Sequence, residues 1–188
     1  MISVSADQII LNERELKARL QGTPLAEIEG LVRECKKAVY EAMDCKYCYL
    51  ETAVQKSSQG CNLGFGEIDS QNLKKNLAGC EQAYIFAATL GHGVDRLLRS
   101  AGLISPLKQF ITDAVASAAI EALCDKAQED LPKPTKPRFS AGYGDFSLNC
   151  QKQLLDFIQA NKRIGITLTE SCLMTPTKSV TAIMGIKK

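Results

Sequence analysis

The stretch Arg138-Phe139-Ser140-Ala141-Gly142-Tyr143-Gly144-Asp145 lies between a proline-rich run, Leu131 to Pro137, and a helical pattern from Ser147 to Gln159. It is too rich in glycine to form a helix and too short to be a separate unit. Two glycines flank Tyr143, so the backbone there can take positive φ and approach a ligand without Cβ interference. Arg138 supplies a fixed cation whose planar fork suits a carboxylate. The three prolines before it keep their predecessors out of the α region, so an extended segment delivers the chain to Arg138. The stretch is thus a binding loop held between two helices.

Upstream, Pro106 opens the longest helix, predicted to reach Asp130, with Leu107, Phe110, Ile111, Ala114, Val115, Ala118, Ala119, Ala122 and Leu123 on its apolar face. Its many alanines let a neighbouring element come close. Asp113, Ser117, Glu121 and Asp125 recur every four residues and make a polar stripe beside that face. The stripe suits either a solvated surface or, at Glu121, a place beside the Arg138 loop.

The rest of the chain supplies scaffold. Asn12 caps a helix from Glu13 to Leu20; Pro24 opens another to about Met43, with Leu25, Ile28, Leu31, Val32, Cys35 and Val39 on one face. Lys46 to Val54 and the apolar run Gln82 to Thr89 are strands. Between them, Gln55 to Gly66 is a hairpin or loop, and Asp69 or Ser70 caps a short helix. Cys61-Asn62-Leu63-Gly64-Phe65-Gly66 resembles a phosphate loop but opens no helix and lacks the following Lys-Ser/Thr. A helix runs from His92 to about Ser100, and His92 has no placed acidic or nucleophilic partner for acid–base work. Ile164–Thr169 and Ser179–Ile186 are expected to pair as antiparallel strands joined by the Glu170–Lys178 loop.

The 188 residues fit one domain with a core that needs no staples. A net charge of +2 favours neither nucleic acid nor a membrane surface. No window is long and apolar enough to span a bilayer, and the N-terminus lacks a basic start and apolar run, so a cytoplasmic location is expected. Eight cysteines are expected to remain thiols there. Only Cys45 and Cys48 have metal-like or redox-like spacing, and without a second such pair they read as ordinary thiols of a strand.

Several motifs in order carry a resemblance. Arg138-x-Ser140-x-Gly142-Tyr143, Ile164-Gly165 leading to Leu168-Thr169-Glu170-Ser171, and Met174-x-Pro176-x-x-Ser179-Val180 resemble the reactivation (activation) domain of vitamin B12 (cobalamin)-dependent methionine synthase, in its free-standing form. The likeness is clearest over about residues 84–186, with residues 1–83 as an N-terminal scaffold part. It implies an α+β fold, a C-shaped single domain over residues 1–188 with an antiparallel β-sheet covered by helices. It also implies S-adenosylmethionine (AdoMet) binding in support of reductive reactivation of a cobalamin carried by a partner protein. Arg138 would meet the AdoMet carboxylate, and the backbone around Ser140, Ala141, Gly142 and Tyr143 would meet the adenine edge. The Tyr143 ring would pack on the adenosine or face the sulfonium. Glu121 would balance charge near the ammonium or sulfonium. Glu170 would be a further ligand-side carboxylate or would pair with Arg138 or Lys178.

The resemblance implies no catalytic residue and no metal ligand in this chain. It makes the chain an accessory part of a methyltransferase system. The implied partners are a cobalamin-binding methionine synthase or another corrinoid protein, with flavodoxin or ferredoxin as electron donor. Relatives carry proline where Phe139 and Ala141 stand. A second possibility is therefore a non-catalytic docking subunit that no longer binds AdoMet, and a third is an activator of another corrinoid methyltransferase.

Overall fold

Gln82–Thr89 is the axis of the fold. Seven of its eight residues are buried, so it can only sit inside a sheet covered on both faces. The computed structural model describes residues 1–21, 23 and 25–187, with the side chains of residues 25–27 outside the description. In chain order the strands are β1 (Ile2–Ser3), β2 (Lys46–Ala53), β3 (Gln55–Lys56), β4 (Gly60–Asn62), β5 (Glu67–Asp69), β6 (Gln82–Thr89), β7 (Thr167–Leu168), β8 (Met174–Thr175) and β9 (Ser179–Gly185). The helices are α1 (Glu13–Arg19), α2 (Leu25–Ala42), α3 (Gln71–Asn76), α4 (His92–Ile104), α5 (Pro106–Glu129), α6 (Cys150–Phe157) and α7 (Ala160–Ile164), with a 3-10 turn at Ala6–Gln8.

The main sheet has the order β1-β2-β6-β9 and every pairing is antiparallel. Adjacent β6 residues point to opposite faces. Phe86 and Tyr84 enter a core with Ile28, Cys35 and Val39 of α2 and Ile111, Val115 and Leu123 of α5. Ile85 and Ala87 enter a second core with Leu73, Phe146, Leu154 and Ile158. A small meander, β3-β4-β5, follows β2 where a hairpin or loop was expected. Asn12 does cap α1, accepting from the amides of Arg14 and Glu15. The predicted Pro24 helix start and the Leu25 side chain lie outside the described residues.

Three expectations change. β9 pairs with β6 over seven residue pairs, from Ala83 with Gly185 to Thr89 with Ser179, and not with the 164–169 segment. β9 is buried on both faces, so it belongs beside the buried central strand; the short β7 pairs instead with β8. The helix expected from Ser147 to Gln159 begins at Cys150 and ends at Phe157, because Gln159 takes a left-handed conformation (φ 54°) and the chain restarts as α7. On α5, Leu107 and Phe110 are exposed at 42% and 43%, since the core-facing surface begins only at Ile111.

The proline-rich run does more than stay extended. Lys136 N donates to Gly185 O at 2.8 Å, Phe139 N and O exchange bonds with Ile183 at 3.0 and 2.9 Å, and Lys187 N donates to Pro134 O at 2.9 Å. The run therefore covers the outer edge of β9, a place where prolines are tolerated because one side needs no donors. This edge contact fixes where Arg138 stands.

Cys45 and Cys48 enter the two different cores on opposite sides of the sheet, so their spacing in sequence joins no common site. Burial pushes the Cys45 thiol up to about 12, and raises Cys48 and Cys61 as well. At pH 8 a thiol-alkylating reagent should label Cys150 and Cys172, which are half-buried, and spare the six buried cysteines; peptide mass spectrometry checks this. The folded state retains the Cys45 proton that an unfolded chain releases near 9.0, so this contribution to stability is full below that pH and is lost as pH rises to about 12. Denaturant midpoints measured across that window should fall with rising pH.

Candidate functional site

The proline-rich run and the loop after it form one wall of an open groove of about 780 Å³. Pro137, Arg138, Phe139, Ser140, Ala141 and Tyr143 line that wall; Glu121, Asp125 and Gln128 of α5 face them. The floor comes from Ser179, Val180 and Thr181 of β9, with Met174 of β8 and Gln151 of α6 beside it. The volume falls in the roughly 300–1,000 Å³ range of small-molecule sites.

The loop holds itself in shape. Gly142 N donates to Phe146 O at 2.7 Å, Phe146 N to Tyr143 O at 3.0 Å and Tyr143 N to Ser140 O at 3.3 Å. Gly142 has φ +93°, a conformation that a side chain at that position would strain. Phe139 turns inward, stacking on Phe146 with ring centroids 6.2 Å apart, and Ala141 is buried. Tyr143 stays 66% exposed at the groove mouth, 6.4 Å from the Phe139 ring.

Arg138 is engaged within the chain. Its guanidinium meets Asp125 at 2.9 Å, Glu121 at 3.1 Å and Gln128 Oε1 at 3.1 Å, all on α5. Burial opposes its charge, but the Cys124 sulfur and the Asp125 and Glu121 carboxylates together outweigh that and raise its pKa above the usual arginine value. Lower on the same stripe, Lys178 Nζ meets Asp113 at 2.7 Å and Ser117 Oγ at 2.9 Å. The four-residue spacing that suited a solvated surface is thus a ladder gripping two cations. Asp95 adds a brace from α4, accepting from the Thr177 amide at 3.1 Å and its hydroxyl at 2.5 Å.

Of the residues singled out from sequence, Arg138, Ser140, Ala141, Tyr143 and Glu121 share the groove, and Gly142 shapes its loop. Glu170 does not join them. It lies in an exposed turn outside the groove lining, and its expected partners Arg138 and Lys178 are both held by α5 carboxylates. His92 is an exposed residue at the start of α4 and is not in the groove.

A family model described as vitamin B12 dependent methionine synthase, activation domain, matches residues 128–188. The crystal structure of the MetH reactivation domain bound to AdoHcy matches with a TM-score of 0.76 and 12% identity, over 98% of this chain and 77% of that one. The chain has the fold of the methionine synthase activation domain. No curated protein sequence matches it. The α+β architecture and the family resemblance expected from the motifs are both borne out.

Within this activation-domain fold, sequence reasoning found only Glu121 of the opposite wall. Asp125 was visible only as one step of a four-residue period. Ser179, Val180 and Met174, which the sequence marks only as parts of a motif and a strand, line the groove. Gln128, Thr135, Gln151 and Lys187 carried no local signal. The β9 contributors could have been found only by placing β9 at the sheet edge.

Arg138→Met should lower stability by about 1–2 kcal/mol, because it leaves Glu121 and Asp125 facing each other near a half-buried site whose outer carboxylate is well solvated. Glu170→Ala should change it by less than about 0.5 kcal/mol, the usual range for exposed positions. Urea denaturation of both variants measures the contrast; equal effects would contradict this placement of the two residues.

Proposed function

We propose that this chain is an AdoMet-binding module that supports reductive reactivation of cobalamin held by a separate methionine synthase. One observation carries the reading: the Arg138–Tyr143 loop forms a groove wall within the stretch matched by the activation-domain family model. The fold shared with a reactivation domain bound to AdoHcy supports it.

The groove suits an amino-acid end joined to an adenosine. Its lining includes a charged and polar set, Arg138, Glu121, Asp125 and Gln128, and an apolar set, Phe139, Ala141, Tyr143, Met174 and Val180. The AdoMet carboxylate would take the Arg138 fork in place of Asp125, and the ammonium would take the released carboxylates. The amides of Gly142 and Tyr143 are engaged inside the loop, and the Phe139, Ser140 and Tyr143 carbonyls already accept within the chain, so the Ala141 and Gly142 carbonyl oxygens would be the ones to accept from the adenine amino group. The exposed Tyr143 ring can then cover the adenosine or face the sulfonium.

Cobalamin on the partner would supply a reduced cobalt nucleophile, formed with an electron from flavodoxin or ferredoxin, that takes the methyl group and leaves a neutral thioether. This chain would bind and orient the methyl donor, which needs no nucleophile or base of its own. The open groove leaves room for that approach. Action on another corrinoid protein uses the same chemistry, and a docking subunit without ligand is the competing class.

Calorimetric titration with AdoMet tests the reading. The protein should bind saturably, and Arg138→Ala should weaken binding by about 1.5–3 kcal/mol, the scale of a charged hydrogen bond. Absence of heat with the intact protein would sink the ligand assignment and leave the docking subunit.

A further inference from the structure

We propose that α3 is a splint for the ligand loop, and that Lys136 and Asp145 are the positioning residues that string the loop along it. The proposal deepens the AdoMet reading above and rests on it for its functional consequence.

Lys136 stands just before the ligand-facing segment Arg138–Tyr143 and Asp145 just after it, at the end of the loop. Each grips a different end of α3. The Asp145 carboxylate accepts from the Ser70 hydroxyl and from the amides of Gln71 at 2.8 Å and Asn72 at 3.2 Å, at the helix N-terminus. Lys136 Nζ donates to the carbonyls of Asn76 at 3.0 Å and Ala78 at 2.5 Å, at the other end. An anion sits on the positive end of the helix dipole and a cation on the negative end. The Ser70 hydroxyl and the two amides also hold the Asp145 carboxyl below the usual carboxylate range, although burial works the other way.

The splint is itself firmly placed. Ser70 Oγ accepts from Leu73 N at 3.0 Å, and Leu73 and Leu77 are fully buried in the second core. Gln71 Nε2 donates to Ser58 O and Gln59 O at 3.1 and 2.9 Å, and Lys74 Nζ donates to Ser57 O at 2.6 Å. Gly144, at φ +56°, lies so close over Asn72 that a Cβ there would collide with the asparagine amide.

Every loop residue assigned to the ligand lies between these two anchors. Neither Lys136 nor Asp145 lines the groove, so either can act on a ligand only by setting the loop's shape. Fixing the loop before the ligand arrives removes an ordering cost from binding.

The experiment compares the intact chain with Asp145→Asn, Lys136→Met and the double variant. It measures AdoMet dissociation constants, thermal midpoints, and amide hydrogen exchange across residues 138–146. Each single variant should raise the AdoMet Kd on the order of tenfold while the thermal midpoint moves little. The Gly142 and Phe146 amides should exchange faster in both variants. Lys136→Arg should restore both readouts, and the double variant should be weaker than either single by less than the product of their effects. Unchanged Kd values, weakened binding without faster loop exchange, or a lowered midpoint with unchanged Kd would each overturn the proposal. If Asp145→Asn does not fold, Lys136→Met decides alone. If the intact chain does not bind AdoMet, the ligand reading falls; loop exchange in the unliganded variants then decides the splint, faster exchange supporting it and unchanged exchange overturning it.

Discussion

The polar stripe of α5 fixes the geometry on which the groove depends. Asp113 and Ser117 hold Lys178, and Glu121 and Asp125 hold Arg138. Lys178 immediately precedes β9, and Arg138 belongs to the segment lying along β9's outer edge. One helix therefore grips the chain at two points around the same strand and sets the spacing between the strand edge and itself. Exposed ion pairs contribute little, but the Lys178 and Arg138 side chains are only 15% and 19% exposed. Their contacts are better regarded as geometric restraints than as a large stability term, because burying each cation also has a desolvation cost.

The strands and helices set by local pattern were legible in the sequence. Gln82–Thr89 is apolar from Ala83 to Ala88 and is the buried central strand; Pro106 does start the longest helix; Asn12 does cap the first. Register was not legible for β9. Its polar Ser179 and Thr181 are buried like Ala182, Ile183 and Met184, so alternation of polarity does not show which neighbour it takes, and a nearby short segment competed with a distant one. β6 won because it offers a partner of matching length and burial, whereas β7 is two residues long.

The site divides along the same line. An arginine and a tyrosine flanked by glycines are conspicuous in a loop, so Arg138, Gly142 and Tyr143 stand out from residue chemistry, and the family resemblance adds Ser140 and Ala141. The facing wall arises from packing between residues far apart in sequence, and each member alone looks ordinary. Asp145 shows the limit most clearly: it is part of the conspicuous stretch, yet its role is set by amides more than 70 residues away. Glu170 shows the converse. It stands in a conspicuous motif but in an exposed turn, and the two cations it could have met are held by α5.

The paired state of Arg138 also bears on which ligands the groove can favour. A ligand with only a carboxylate would displace Asp125 from Arg138 and leave that acid without its cation. A zwitterion exchanges the contacts in both directions: its carboxylate replaces Asp125 on the guanidinium, and its ammonium replaces Arg138 at the freed acid. Charged hydrogen bonds contribute about 1.5–3 kcal/mol each, and here comparable bonds stand on both sides of the exchange. On the proposed reading, the amino-acid end would thus provide selection and orientation, and its net gain is smaller than two new charged bonds because one internal pair is given up. The adenosine against Phe139, Tyr143, Met174 and Val180 would add the rest, and so would the holding of the loop in place before the ligand arrives.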